Sequence, residues 1–229
     1  MEDDAPATEP ETSRRAVLPS ESVVILAGIA LMSTAGTSYS FATYSSDLRE
    51  RLALDQRGLE WLATAKDLGA YVGVAAGFFH DAYGPKRTVL TGAMLHAVGY
   101  YSLYTLCGDD WAGRRHVPVW QPALLLGAAA NGAGFIDMGC LMTLMHNAGA
   151  ERSLMAGVAK ALLGLCGSVF TALYIAFIKP DARDFLLLLA IMPLLVGACA
   201  ARSSLLPTLT PMLHPCSCAC CPLLRAPPA

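Results

Sequence analysis

The chain has 229 residues, of which 55% are hydrophobic and 15% charged, with a net charge of -2 and a mean hydropathy of +0.47. A soluble domain of this length carries about a quarter charged residues, so this composition belongs in a lipid bilayer. With no basic excess, no zinc-finger spacing and no aromatic-basic pattern, it argues against nucleic acid as a partner.

Met1 to Ser22 is acidic, then rich in serine, proline and arginine. No apolar stretch there precedes a small-residue cleavage site, so 1–22 reads as a disordered tail that stays in the cytoplasm. Six apolar segments follow: Val23 to Tyr44, Leu59 to Phe79, Thr88 to Leu106, Val119 to Met145, Leu154 to Ile178, and Phe185 to Ala201. Each is long enough, or nearly so, to cross a hydrocarbon core of about 30 Å as a helix. The last is the shortest and contains Pro193. The segments make one all-α transmembrane domain over 23–206, a six-helix bundle. Beyond it, 207–229 is rich in proline and cysteine, and Cys216, Cys218, Cys220 and Cys221 alternate too tightly for a structural zinc knuckle. This tail reads as disordered; it is either palmitoylated beside the membrane or not an evolved element.

Lysines and arginines in the expected loops divide equally between the two sides, so the positive-inside rule leaves the orientation open. Cys107, Cys140, Cys166 and Cys199 fall in or beside apolar stretches, where a thiol behaves as a small hydrophobe. His80, His96 and His116 lie near no cysteine or carboxylate at metal-ligand spacing, so neither a metal site nor a cofactor is expected. No nucleophile, base and orienting group stand together, which argues against an enzyme.

Small and polar residues recur at helical spacing. Ala65, Gly69, Gly73 and Gly77 put nearly bare backbone on one face of the second segment, where another helix can approach closely. Ser33, Thr37, Ser40 and Tyr44 form a polar face on the first, and Gly157, Lys160, Gly164, Gly167 and Thr171 one on the fifth. Packing explains the glycines, and hydroxyls are satisfied by carbonyls one turn back; the alternative is that these faces look onto a water-filled cavity.

Charges within apolar segments are more telling. Lys66, Asp67, Asp137 and Lys160 lie well inside them, where insertion costs about 2.5 to 3.5 kcal/mol for Asp or Lys at the centre of a span. Either they pair as a structural lock, or the lysines meet an anion in a cavity while a carboxylate takes up and releases a proton.

The second segment closes with Gly77-Phe78-Phe79-His80-Asp81-Ala82-Tyr83-Gly84-Pro85-Lys86-Arg87. This resembles the signature between the second and third helices of the major facilitator superfamily. Gly77, Asp81, Gly84 and Lys86 hold their places, whereas Ala82 and Pro85 stand where that family usually has basic residues. Ala65 to Gly69, Gly36 to Phe41, Asn131-Gly132 with Phe135, and His146-Asn147 resemble more narrowly the nodulin-like branch, known from plants and algae. That branch is commonly acidic at the position of Ala133 and arginine at that of His146, so Asp137 stands in as the carboxylate of the fourth helix.

The resemblance covers Val23 to Ala201 and implies one half of a carrier. It puts the Gly77 to Arg87 turn, and with it both chain ends, on the cytoplasmic side. It implies a 3+3 inverted repeat that makes the second and fifth helices counterparts, each with an Ala-Lys pair, at Lys66 and Lys160. Gly77, Asp81, Gly84, Lys86 and Arg87 become a gating motif, and Ser40, Tyr44 and Asn131 join the four buried charges on a solute or ion pathway. A second half, supplied by another copy or a partner bundle, would complete the cavity. The expected function is a carrier module for a small anionic solute, coupled to protons; the alternative is a non-transporting protein or shortened form that docks on a full-length relative through Gly69, Gly73 and Gly77.

Overall fold

A computed structural model describes residues 21–108, 117–148, 151–178 and 182–202. They form α1 (Glu21–Ala35), a 3-10 stretch (Gly36–Ser40), α2 (Phe41–Arg51), α3 (Gln56–Tyr71), α4 (Val74–Leu106), α5 (Trp120–Asn147), α6 (Arg152–Leu173), a π stretch (Tyr174–Ile178) and α7 (Ala182–Arg202), with no strand among the described residues. Most of the expected tail 1–22, all of 207–229, and His116 lie outside them.

The first two apolar segments are not the single α-helices that their composition suggested. The first tightens into 3-10 geometry at Gly36–Ser40 and then continues past Tyr44 to Arg51. A sharp exit follows, with Ala53 at φ 51°, and Asp55 starts α3 by accepting the Gly58 N–H at 2.7 Å, a cap worth about 1 kcal/mol. The second segment breaks between α3 and α4, at Val72 and Gly73. It then runs helically through the motif that was expected to form a turn. The reversal into the third segment is concentrated at Gly84, with φ 79° and ψ 172°, a conformation essentially confined to glycine. Pro85 opens the next helix at a position where its missing N–H costs nothing. The Thr88 hydroxyl donates to Gly84 O at 2.8 Å, satisfying a carbonyl at the corner.

The part of α4 beyond this corner is the spine of the fold, packed backbone to backbone on α5. A Cβ on Gly92 would lie 2.7 Å from Gly132 O, one on Gly99 2.7 Å from Ala129 Cβ, and one on Gly139 2.7 Å from Val89 Cγ2. Small residues at such crossings allow the close approach that drives helix association in lipid, where apolar burial gives little help. The 3-10 stretch packs as tightly on α6: a Cβ on Gly36 would lie 2.8 Å from Cys166 Cβ, and one on Gly167 2.8 Å from Tyr39 Cβ. One apolar cluster gathers Tyr44, Tyr100, Leu126, Phe170 and Phe185. A second joins Leu31, Met32, Val89, Ile136 and Leu144.

Large apolar side chains also cover the outside. Tyr71, Phe78, Met94, Leu124, Leu154 and Phe177 are all more than half exposed, an arrangement that water would penalise and hydrocarbon favours. Among the described residues, three helical stretches can cross a membrane by length and composition: Trp120–His146, Arg152–Ile178 and Ala182–Ala200, with mean hydropathies of 1.4, 2.1 and 1.9.

Candidate binding cavity

Four walls line an open-sided cavity of about 570 Å³. The 3-10 region contributes Ser38 and Tyr39, α3 contributes Lys66, Asp67 and Tyr71, α5 contributes Ala133 and Asp137, and α6 contributes Lys160 and Gly164. The four charges found inside apolar segments thus meet in one place.

They meet as two ion pairs. Lys160 Nζ lies 2.5 Å from Asp137 Oδ2, bridging α6 and α5. Lys66 Nζ lies 2.9 Å from Asp67 Oδ1 on its own helix and 5.5 Å from the centre of the Phe41 ring. The two pairs differ in solvation: the Lys66 side chain is 14% exposed and that of Asp67 60%, against 47% for Lys160 and 24% for Asp137. Neither lysine is sealed into a core, so each keeps ammonium donors for a molecule entering the cavity. Two buried atoms of residues that line the cavity lack a hydrogen-bond partner, Ser38 Oγ on the 3-10 stretch and Asp137 Oδ1 on α5.

Other residues singled out in the sequence sit elsewhere. Ser40 Oγ donates to Gly167 O at 3.3 Å, tying the 3-10 stretch to α6. The Tyr44 and Tyr100 hydroxyls lie 3.2 Å apart in the core. Asn131 Nδ2 donates to Gly69 O at 3.0 Å, beside the break in the second segment, where carbonyls lose their helical partners. Asn131 also lies on a separate apolar cavity of about 790 Å³, lined by Trp61, Leu68, Leu95 and Trp120 among others.

The glycine face of the second segment divides. A Cβ on Gly69 would collide with Gly127 O, whereas Gly73 has only Ala70 O at 3.8 Å and Gly77 only Met138 Cε at 3.7 Å. The close helix contact expected along this face is therefore confined to Ala65 and Gly69, both against Gly127. Further along, the Asp81 side chain is 78% exposed, with His80 Nδ1 3.6 Å away. Arg87 stacks over the Tyr83 ring at 5.9 Å, Lys86 is half-buried, and Gly84 forms the corner.

Over residues 22–210 the sequence matches the nodulin-like family. The chain belongs to that family. Protein NUCLEAR FUSION DEFECTIVE 4 of Arabidopsis thaliana is 25% identical over 177 residues, which make up 77% of this chain and 30% of that protein. This nodulin-like chain therefore spans less than a third of the length of that relative. Membership and the long apolar helices together make it an integral membrane protein.

Some members of the cavity were not singled out by sequence reasoning. Ser38 and Tyr39 escaped because an α-helical face drawn from Ser33 to Tyr44 ignores the tighter winding at Gly36–Ser40; Tyr71, on α3, carried no such signal. His96 also acquires a defined place. Its Nδ1–H donates to Ala129 O at 2.9 Å and its Nε2 lies 3.3 Å from Thr37 Oγ1, linking α4, α5 and the 3-10 stretch.

Proposed function

We propose that the chain is one half of a major-facilitator-type carrier: six crossings in a 3+3 inverted repeat, with both ends cytoplasmic, working with a second bundle on a small solute that carries an anionic group. A proton would be taken up at Asp137. The observation that carries this reading is the convergence of Lys66, Asp67, Asp137 and Lys160 on one 570 Å³ cavity. Charges inside a membrane are costly and mark solute or ion pathways, and the volume suits a small molecule. The interruptions at Gly36–Ser40 and Val72–Gly73 flank residues of the same cavity, as discontinuous helices do at the midplane sites of carriers.

A second bundle has room to dock. A Cβ on Gly157 or Gly164 would meet nothing within 4 Å. The alternative role, regulation of a full-length relative through the glycine face of the second segment, retains Gly73 and Gly77 but not Gly69, which α5 already occupies.

The test is cysteine labelling of Gly164→Cys in a cysteine-free background, with the chain in lipid nanodiscs and its oligomeric mass measured alongside. A half-carrier has a water-reachable Gly164, so a membrane-impermeant reagent should label it, and less so once a second bundle assembles. Labelling by a lipid-soluble reagent alone would place this face against lipid and remove the carrier reading.

A further inference from the structure

Resting on the carrier reading, we propose that the cavity takes a small zwitterion, of the class of an α-amino acid, with its ammonium at Asp137 and Ser38 and its carboxylate at Lys66. Charge in the cavity is balanced. Two lysines and two aspartates line the cavity, so as fully ionised groups their charges cancel. A solute bearing only negative charge keeps that balance only if a proton enters with it, and a proton on Asp137 removes the charge that Lys160 pairs with. A zwitterion leaves the balance unchanged.

The atoms left without a partner also need donors. Asp137 offers one oxygen to Lys160, at 2.5 Å, while its Oδ1 is buried and accepts from nothing. Ser38 Oγ, on the same cavity, is likewise buried and unpartnered. A carboxylate oxygen is satisfied only by a donor, and a purely anionic solute such as a carboxylate has none to give. An ammonium has three, enough for Asp137 Oδ1 and Ser38 Oγ together.

The α3 wall offers the opposite chemistry. Lys66 spends one donor on Asp67 Oδ1 at 2.9 Å, and its other two can receive a carboxylate. A simple amine would fill the Asp137 side and leave the two remaining Lys66 donors unused. An uncharged polyol would supply donors but not the charge that either lysine attracts. A molecule with one ammonium and one carboxylate answers both walls.

The experiment compares alanine, leucine and glutamine, each as the free amino acid, the N-acetyl derivative and the amide, for binding to the full chain in nanodiscs by calorimetry. The free amino acids should bind, and both derivatives should be weaker by about tenfold or more, since each loses a charged hydrogen bond. Asp137→Asn should bring the free amino acid down to the level of its N-acetyl form; Lys66→Gln should bring it down to that of its amide. Should Asp137→Asn fold poorly, Asp137→Asn with Lys160→Met removes both charges and tests the same wall. An N-acetyl form binding as tightly as the free amino acid would overturn the zwitterion and leave an anion carrier standing. Equal binding by the amide would overturn it in favour of a cation. If none of the nine compounds binds a folded chain whose Gly164→Cys remains open to water, the zwitterion falls alone; if that position is also closed to water, the carrier reading falls with it.

Discussion

Replacing Gly69 with alanine tests the packing of α3 on α5 directly. The added methyl would overlap Gly127 O and lie 2.8 Å from both Gly127 C and Cα. All three atoms are backbone, so no rotamer can relieve the clash; α3 must move outward by on the order of 1 Å. Over-packing of this kind costs about 1 to 3 kcal/mol, and alanine returns about 0.5 to 1 through helix propensity. The displaced helix also stretches the 3.0 Å bond from Asn131 to Gly69 O, adding up to about 1 kcal/mol. The net expectation is a loss of about 2 kcal/mol. Gly164→Ala is the matched control, because its methyl meets nothing and propensity alone should stabilise it by up to about 1 kcal/mol. Gly73→Ala, with only Ala70 O at 3.8 Å, should be nearly neutral. Reversible unfolding by SDS in mixed micelles, followed by circular dichroism, measures all three. If Gly69→Ala proves as stable as wild type while Gly73→Ala is costly, the glycine face packs on something outside this bundle and the argument fails.

Gly84→Ala should cost about 1 to 3 kcal/mol in the same assay, since a side chain is strained at φ 79° and ψ 172°; a neutral result would mean that the corner is not held at that angle. Tyr44→Phe should cost about 1 kcal/mol by leaving the buried Tyr100 hydroxyl without its partner, and the double change with Tyr100→Phe should cost less than the sum of the single ones. Lys160→Met strips Asp137 of its ion pair, but with the lysine side chain 47% exposed solvent screening reduces the loss to about 1 kcal/mol, and Asp137→Asn in the same chain should recover it. Asp81→Asn should leave stability unchanged, as its carboxylate is 78% exposed, yet it should alter labelling at Gly77→Cys when a second bundle is present; an equal change in the chain alone would confine Asp81 to its own helix end.

The charged cavity was legible because burying Lys66, Asp67, Asp137 and Lys160 among apolar residues demands a common solution, and mutual pairing is the cheapest one available. Composition likewise announced the apolar helices, since little else accommodates stretches such as Trp120–His146. Local winding was hidden. A stripe of Ser33, Thr37, Ser40 and Tyr44 presumes about 100° per residue throughout, but the 3-10 stretch turns by about 120°, and the stripe disperses. Ser33 and Thr37 bond to carbonyls of their own helix, Ser40 to α6 and Tyr44 to Tyr100, while Ser38 and Tyr39 come round to the cavity. Residues of the Gly77 to Arg87 motif looked like a loop because glycine, aspartate and proline are loop residues in water. Within this bundle one glycine is enough to reverse the chain, and the rest stay helical.

A corner made of a single residue has no slack. Whatever tilt the helix ahead of Gly84 undergoes is handed at once to Pro85 and to the spine behind it, which is locked to α5 at Gly92, Gly99 and Gly139. That part of the chain is a bracket, tied across its bend by the Thr88 hydroxyl on Gly84 O and packed on α5 along one arm. Compliance has to be found on the other side, at Val72 and Gly73, where the helix is already interrupted and Gly73 has free space around it. Lys66 and Asp67 stand on one side of that interruption, Asp81 on the other. Motion of the bracket would carry Asp81 with it and leave the Lys66 ammonium where it is, so that the end of the helix and the wall of the cavity respond as separate parts.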